Sequence, residues 1–237
     1  VFAFSKNDIW FSDGAELIHY NGAVFKQDCS INLLLTGKIN KIWGTSDNDL
    51  YVVGDNGLIV HYDGRQWQRI ESGTDLPIQD IWGNNEQILV IASNHHYLGR
   101  ELILIKQKTT KKLDSNGLFY GFGGIWFIRD REYLIVGDGI FIKHSLNESI
   151  WFRYPVGQIA SYYSQSIRGL NFNDIVIVGD FNDISHFNGY NWKEYKNLYN
   201  AQGQLVSVNM IKNLVVAVGN EYINGINDKG IIILGKR

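Results

Sequence analysis

Two residue types recur in this chain in a way that could do chemistry. Aspartates stand at Asp55, Asp138 and Asp180, each directly after a glycine. Histidines stand at His19, His61 and His186, each before an aromatic residue, an Asn or Asp, and a glycine. Carboxylates and imidazoles are the usual materials of metal sites and of acid–base catalysis. Their spacing argues against both. Successive copies lie about one repeat apart, so in a repeat fold they are spread among separate units, too far apart to share one ion. The expected roles are local: the Asp carboxylate caps turn amides, and the His packs at one repeated position. No catalytic residue, metal ligand or cofactor is expected on these grounds.

Positions that break the repeat are better candidates, because packing does not require them. Arg168 stands where the other copies have Trp43, Trp82 and Trp126. It could bind an anion in a central channel or pair with Asp174. The stretch His95-His96-Tyr97-Leu98-Gly99-Arg100 expands a hairpin that is tight elsewhere, which makes His95, His96, Tyr97 and Arg100 a candidate recognition loop. Tyr162 and Tyr163, between the fourth and fifth copies, are a candidate aromatic surface, and Glu221 to Lys229 is a second expanded hairpin.

The elements that must position these residues follow from the repeat. Val52 to Gly64 reads VVGDNGLIVHYDG, and Val176 to Gly189 reads VIVGDFNDISHFNG. The residues closing the apolar run are Gly54, Ala92, Gly137, Gly179 and Gly219, at steps of 38, 45, 42 and 40 residues. A period near 40 matches one four-stranded propeller blade. Within each unit the pattern is β: a short apolar strand, a polar turn, a nearly continuous apolar run, a glycine-containing turn, a third strand, a second turn such as Asp63-Gly64, and a more polar outer strand. The basic stretch Lys108 to Asp114 reads as a solvated outer strand or loop. Six copies predict a six-bladed, all-β propeller in one domain, with blades at about 1–36, 37–75, 76–115, 116–160, 161–200 and 201–237. The last copy stops after its third strand, so the sixth blade is expected to be three-stranded or completed by residues outside this range.

Composition bounds the function. A net charge of −2 gives no electrostatic footprint for nucleic acid. No apolar run is long enough to span a bilayer as a helix. The single cysteine, Cys29, cannot form an internal disulfide, and its polar neighbours predict a turn. A chain that opens on Val1 implies a trimmed N-terminus. No phosphate-binding glycine loop and no Gly-x-Ser-x-Gly elbow occurs.

The unit Ile42-Trp43-Gly44, Ser46 to Gly57, His61 to Gly64 and Trp67 resembles the repeats of bacterial secreted and cell-envelope propellers, in the style of the BNR/Asp-box and WD40-like groups. The resemblance implies an extracytoplasmic bacterial protein, secreted, periplasmic or surface-anchored, often lipoprotein-like. The chain lacks the Ser-x-Asp-x-Gly-x-Thr-Trp box of sialidases. The expected function is a non-enzymatic binding or assembly scaffold that engages a protein partner through its loops. A carbohydrate-binding propeller is the alternative, with a glycan held by some of the 7 Trp and 13 Tyr. A glycoside hydrolase or lyase acting at the central channel is the third reading.

Overall fold

A computed structural model describes residues 1–94, 99–223 and 227–236, with backbone only at 227 and 228. The chain divides into two compact units, Val1–Asp114 and Ser115–Arg237. The border falls between the third and fourth repeats.

The first unit holds three four-stranded antiparallel sheets. The first sheet is β1 (Phe2–Ser5), β2 (Asp8–Ser12), β3 (Leu17–Tyr20) and β4 (Phe25–Gln27). The second is β5 (Ile39–Ser46), β6 (Asp49–Gly54), β7 (Leu58–Tyr62) and β8 (Trp67–Arg69). The third is β9 (Ile78–Gly83), β10 (Ile88–Ser93), β11 (Arg100–Lys106) and β12 (Thr109–Leu113), so the basic stretch is an outer strand. The second unit holds β13 (Phe122–Ile128), β14 (Glu132–Gly137), β15 (Gly139–Lys143) and β16 (Phe152–Tyr154), then β17 (Ser164–Asn171), β18 (Asp174–Gly179), β19 (Ile184–Phe187) and β20 (Trp192–Glu194). Its last sheet has three strands, β21 (Gly203–Ile211), β22 (Leu214–Ile223) and β23 (Asn227–Lys236). Each sheet is a meander of neighbouring strands. The fold class is the six-bladed β-propeller, with a three-stranded last blade, as the repeat predicts.

The repeat has a packing cause. The second strands (β6, β10, β14, β18) are buried on both faces, which is why they read as unbroken apolar runs. Side chains from neighbouring blades interdigitate between the sheets. Trp43, Val53 and Ile59 of the second blade pack with Ile81, Val90 and Ile103 of the third. Val176, Val178 and Ile184 of the fifth pack with Leu205, Val208 and Ala217 of the sixth. The recurring indoles fill these seams: Trp43 lies 6.4 Å from Trp82, and Trp126, 2% exposed, lies against Gly169 of the next blade.

Blades two to six also share a bulge on the innermost strand, at the register shifts flanking Asn40, Gln79, Gly123, Gln165 and Val206. The glycine that closes the apolar run sits opposite this bulge. A methyl group on Gly54, Gly137, Gly179 or Gly219 would lie 1.8 to 2.1 Å from the carbonyl oxygen of Lys38, Gly121, Tyr163 or Gln204. Three of those carbonyls accept the next amide along: Asp55 N at 2.9 Å, Asp138 N at 3.3 Å and Asp180 N at 3.0 Å. Close approach of two backbones therefore explains the glycine.

Two expectations need correction. The aspartates after these glycines do not cap their own hairpin. Asp55 accepts from the Asn40 amide at 3.2 Å. Asp180 accepts from Gln165 at 2.9 Å and from Gln204, in the next blade, at 3.0 Å. The residues that do cap turns are Asn21, Asp63 and Asn188 of the second turn, whose Oδ1 accepts the amides two and three residues on. In the second and fifth blades an amide side chain at the bulge, Asn40 or Gln165, donates to the Asp carboxylate; in the fourth, where the bulge residue is Gly123, Asp138 accepts the Gly121 amide at 3.4 Å. Cys29 is exposed, as a turn would leave it, but opens a 3-10 helix, Cys29–Leu34, capped by Asp28.

Candidate functional site

The histidines have specific partners. His19 Nε2 lies 2.8 Å from Asp8, His61 Nε2 2.8 Å from Asp49, and His186 Nε2 2.9 Å from Asp174. Each pair joins the third strand to the start of the second, one pair per blade. His61 is 5% exposed, packs on Tyr51 at 4.5 Å, and keeps Nδ1 buried without a partner. That arrangement places the donated hydrogen on Nε2. The pairs brace blades. Among the described residues no group of three or more His, Cys, Asp or Glu could hold a metal ion.

The His61 hydrogen bond holds the Asp49 carboxyl below its usual value, with Thr45 adding to it. A carboxylate whose folded pKa is depressed adds stability above its unfolded pKa, near 3.9, and loses it as pH falls through the folded value. Asp49→Ala is therefore expected to cost about 2 kcal/mol at pH 7, the worth of a hydrogen bond to a charged group. The deficit should shrink below about pH 4. Urea titrations of both proteins at pH 7 and pH 3 check this; an equal deficit at both pH values would show that the ionised pair contributes nothing.

The strongest candidate site lies in the second unit, where the fifth blade departs from the repeat. The second blade turns after its closing glycine through Asp55-Asn56-Gly57 and the fourth through Asp138 before Gly139, whereas the fifth runs Asp180-Phe181-Asn182-Asp183 with no glycine. Phe181 and Asn182 both take left-handed backbone, at φ 59° and 60°, as Asn56 and Gly57 do in the second blade at 53° and 63°; Asn adopts it readily, so the cost falls on Phe181. The turn delivers three groups to one place. The Phe181 ring meets Tyr162 edge-on at 4.6 Å and lies 6.0 Å from Tyr199. Asn182 is buried over Gly203, and its Oδ1 has no partner. Asp183, 8% exposed, accepts the Tyr162 amide at 3.1 Å.

Glu194 of β20 completes the site. One of its oxygens accepts the Ser161 hydroxyl, and the other lies 3.4 Å from Lys196. Burial, followed by the nearby Glu194 charge, pushes the Asp183 carboxyl above its usual value. The Tyr162 hydroxyl is held up by its hydrogen bond with Tyr199. The result is a cavity of about 310 Å³ lined by Ser161, Tyr162, Asn182, Asp183, Glu194, Tyr195, Lys196 and Tyr199. Aromatic walls and a carboxylate floor suit a cationic or amide-bearing side chain. A second, more open cavity of about 750 Å³ shares Asn182 and Tyr199 and continues along β23.

The expected site residues are placed as follows. Tyr162 lines the smaller cavity. Tyr163 is half-buried, its phenol pushed up by burial, and its carbonyl receives Asp180 N. Arg168, 6% exposed, donates to the carbonyl oxygens of Ile167 at 2.6 Å and Ile125 at 3.3 Å, so it links the fourth and fifth blades in the position of a tryptophan. Asp174 lies 2.9 Å from His186 Nε2. Arg100 begins β11, half-buried. His95, His96 and Tyr97 lie outside the described residues. Asp183, Glu194, Phe181 and Tyr199 escaped the sequence reading. Their signal was the missing turn glycine at Asn182-Asp183.

The first unit has an open cavity of about 770 Å³ lined by Trp10, His19, Lys26, Asp47, Tyr62 and Arg65 among others. Its indole face is already taken, since His19 stacks on Trp10 at 4.2 Å. Five of the seven tryptophans are buried in this way, which leaves little exposed indole for stacking on a sugar.

No family model matches the chain, and no curated protein matches it by sequence. Its fold places it among the β-propellers. Solved structures similar to it include YCF48 bound to D1 peptide, with TM-score 0.71 and 12% identity over 99% of this chain and 76% of that one. YCF48 from Cyanidioschyzon merolae gives 0.66 and 11%, over 92% and 78%. The WD40 propeller domain of Doa1 gives 0.67 and 8%, over 98% and 80%. At these identities the likeness is one of fold.

Proposed function

We propose that this chain is a non-enzymatic scaffold that holds a protein partner, gripping a basic side chain of that partner in the Tyr162–Asp183–Glu194 cavity. The observation that carries this is the cavity in which Tyr162 and Tyr199, packed with Phe181, stand beside the Asp183 and Glu194 carboxylates. A structure of the same fold bound to a peptide supports it. Three of the four carboxylate oxygens already serve the Tyr162 amide, Ser161 and Lys196, which favours a rigid binding floor over acid–base catalysis. Placement at the bacterial cell envelope belongs to the same proposal and rests on the style of the repeat; fractionation of the source cells checks it.

The test is binding of fluorescent ten-residue peptides carrying a central Arg or Lys, with Gln as control. Arg peptides should bind at least about tenfold more tightly than Gln peptides, and Tyr162→Ala should remove that preference. Asp183→Asn should weaken Arg binding at pH 7 but leave binding below about pH 4 unchanged, because Asp183 is then protonated in the parent too. Equal binding of Arg and Gln peptides, or turnover of glycoside substrates lost in Asp183→Asn, would overturn the proposal.

A further inference from the structure

The fifth blade puts two polar residues where the second has a glycine and a leucine. Counted from the closing glycines, Gly54 and Gly179, Asn182 stands in the place of Gly57 and Asp183 in that of Leu58. The two turns share one backbone. Gly57 and Asn182 have φ 63° and 60°. The Leu58 amide donates to Asp55 O at 3.2 Å, and the Asp183 amide to Asp180 O at 3.1 Å. This position therefore asks for a residue that accepts positive φ. Glycine meets that demand in the second blade, so the carboxamide is not what the turn requires.

Room for the carboxamide comes from the connection that follows the blade. A methyl group on Gly57 would lie 1.9 Å from the Thr74 carbonyl oxygen, which leaves no space for a side chain. In the fifth blade the connection instead presents Gly203. A methyl group there would lie 2.3 Å from Asn182 Oδ1 and 2.7 Å from its Nδ2. The amide thus rests over a bare Cα, which offers it no ordinary hydrogen bond.

Asn182 is 6% exposed, yet its side chain makes no hydrogen bond among the described residues, and Oδ1 is fully buried. Its neighbours in kind are satisfied: Asn56 donates Nδ2 to Thr36 O at 2.6 Å, and Asn200 donates to Glu221 at 2.6 Å. A buried amide without a partner opposes folding, and a ligand that bonds to it removes the penalty. Asn182 lines the same 310 Å³ cavity as Tyr162, Asp183 and Glu194. The lining residues and Gly203 all belong to one stretch of chain, 161–203, and the bond from Asn200 N to Phe181 O at 2.9 Å holds the connection against the turn.

The carboxylates of this cavity suit the charged end of a basic side chain. A carboxamide is neutral and carries a donor and an acceptor on neighbouring atoms. A peptide group matches it whichever way round the amide is set, C=O to Nδ2 or N–H to Oδ1. We infer that Asn182 bonds to the partner's main chain, so that the cavity takes a basic residue together with a peptide group beside it. Its ligand is then a basic residue within a polypeptide, not a free amine or guanidine. This rests on the reading of the cavity as the seat of a partner's basic side chain.

The probe is the fluorescent Arg peptide with one peptide bond at a time replaced by an ester on either side of the Arg. An ester has no N–H, and its carbonyl is a weaker acceptor. On the parent protein at least one ester position should weaken binding about fivefold. Asn182→Gly keeps the positive φ and drops the amide. It should bind the all-amide peptide about fivefold more weakly, show no further loss from that ester, and keep the preference for Arg over Gln. No sensitive ester position on the parent would overturn the inference, as would an ester loss equally large in Asn182→Gly at every position. Loss of the Arg preference in Asn182→Gly would also overturn it, because the amide would then be reading the side chain. If the parent prefers Arg peptides and Asn182→Gly binds them equally well, the main-chain contact alone fails. If the parent shows no preference for Arg, the reading of the cavity fails and this inference with it.

Discussion

Trp126→Ala is expected to lower stability by about 3–5 kcal/mol, the usual cost of emptying a large aromatic site in a packed core. The indole is almost wholly buried and lies flat against Gly169, whose missing side chain is what makes room for it. No neighbour can swing in to fill the space, because the opposing position is a backbone and the flanking Ile125, Ile167 and Phe127 are committed to their own strands. For a chain of this length the midpoint of thermal unfolding should fall by about 10 °C or more. Calorimetry checks it, with Trp126→Phe as a milder control. A loss under about 1 kcal/mol would mean that the seam between the fourth and fifth blades relaxes freely, against the dense packing expected of an interior.

Gly179→Val should be nearly as damaging by the opposite route. Any Cβ at this position lies 2.1 Å from the Tyr163 carbonyl, and both partners are backbone, so relief requires the strands to part. Separation breaks the 3.0 Å bond from Asp180 N to that carbonyl and drags Tyr162 and Tyr163 with it. Overpacking of this kind costs about 1–3 kcal/mol, and more where a backbone bond is lost as well. The result should be lower stability together with loss of Arg-peptide binding, since the cavity wall moves. Gly157→Val, at a glycine with nothing within 4 Å, isolates the effect: its positive φ of 92° adds strain without a clash, and it should leave binding intact. Equal loss of binding in both variants would dissociate the cavity from the glycine slot.

Most of the fold was legible because its signals are local. Strand burial on both faces leaves an unbroken apolar run, as in Leu50–Val53 and Ile175–Val178. The second turn needs a capping Asn or Asp and a glycine with positive φ, supplied at Asn21-Gly22, Asp63-Gly64 and Asn188-Gly189. The three-stranded last blade followed from counting such units. The chemistry of the recurring polar residues was not legible. Asp49 and His61 stand twelve residues apart on adjacent strands and meet only because the β6–β7 register places Tyr51 opposite His61. The pairing that ties Asp180 to Gln165 and Gln204 depends on a bulge, and a bulge is a matter of register that no single-residue preference announces.

The candidate site divides in the same way. Tyr162 could be singled out because it breaks the repeat. Asp183, Glu194 and Tyr199 could not be joined to it, since they come from a turn, an outer strand and a connecting segment that packing brings around one cavity. Arg168 was visible as an odd residue, but only its neighbours show that its guanidinium donates to the Ile125 and Ile167 carbonyls.

The sequence alone therefore determined the unit, its number and the turn chemistry, because strand period, glycine demand and Asx capping act over a few residues. The tertiary structure decided which side chains share a cavity and which polar groups meet across strands. Those are properties of register and of packing between blades, set by residues far apart in the chain.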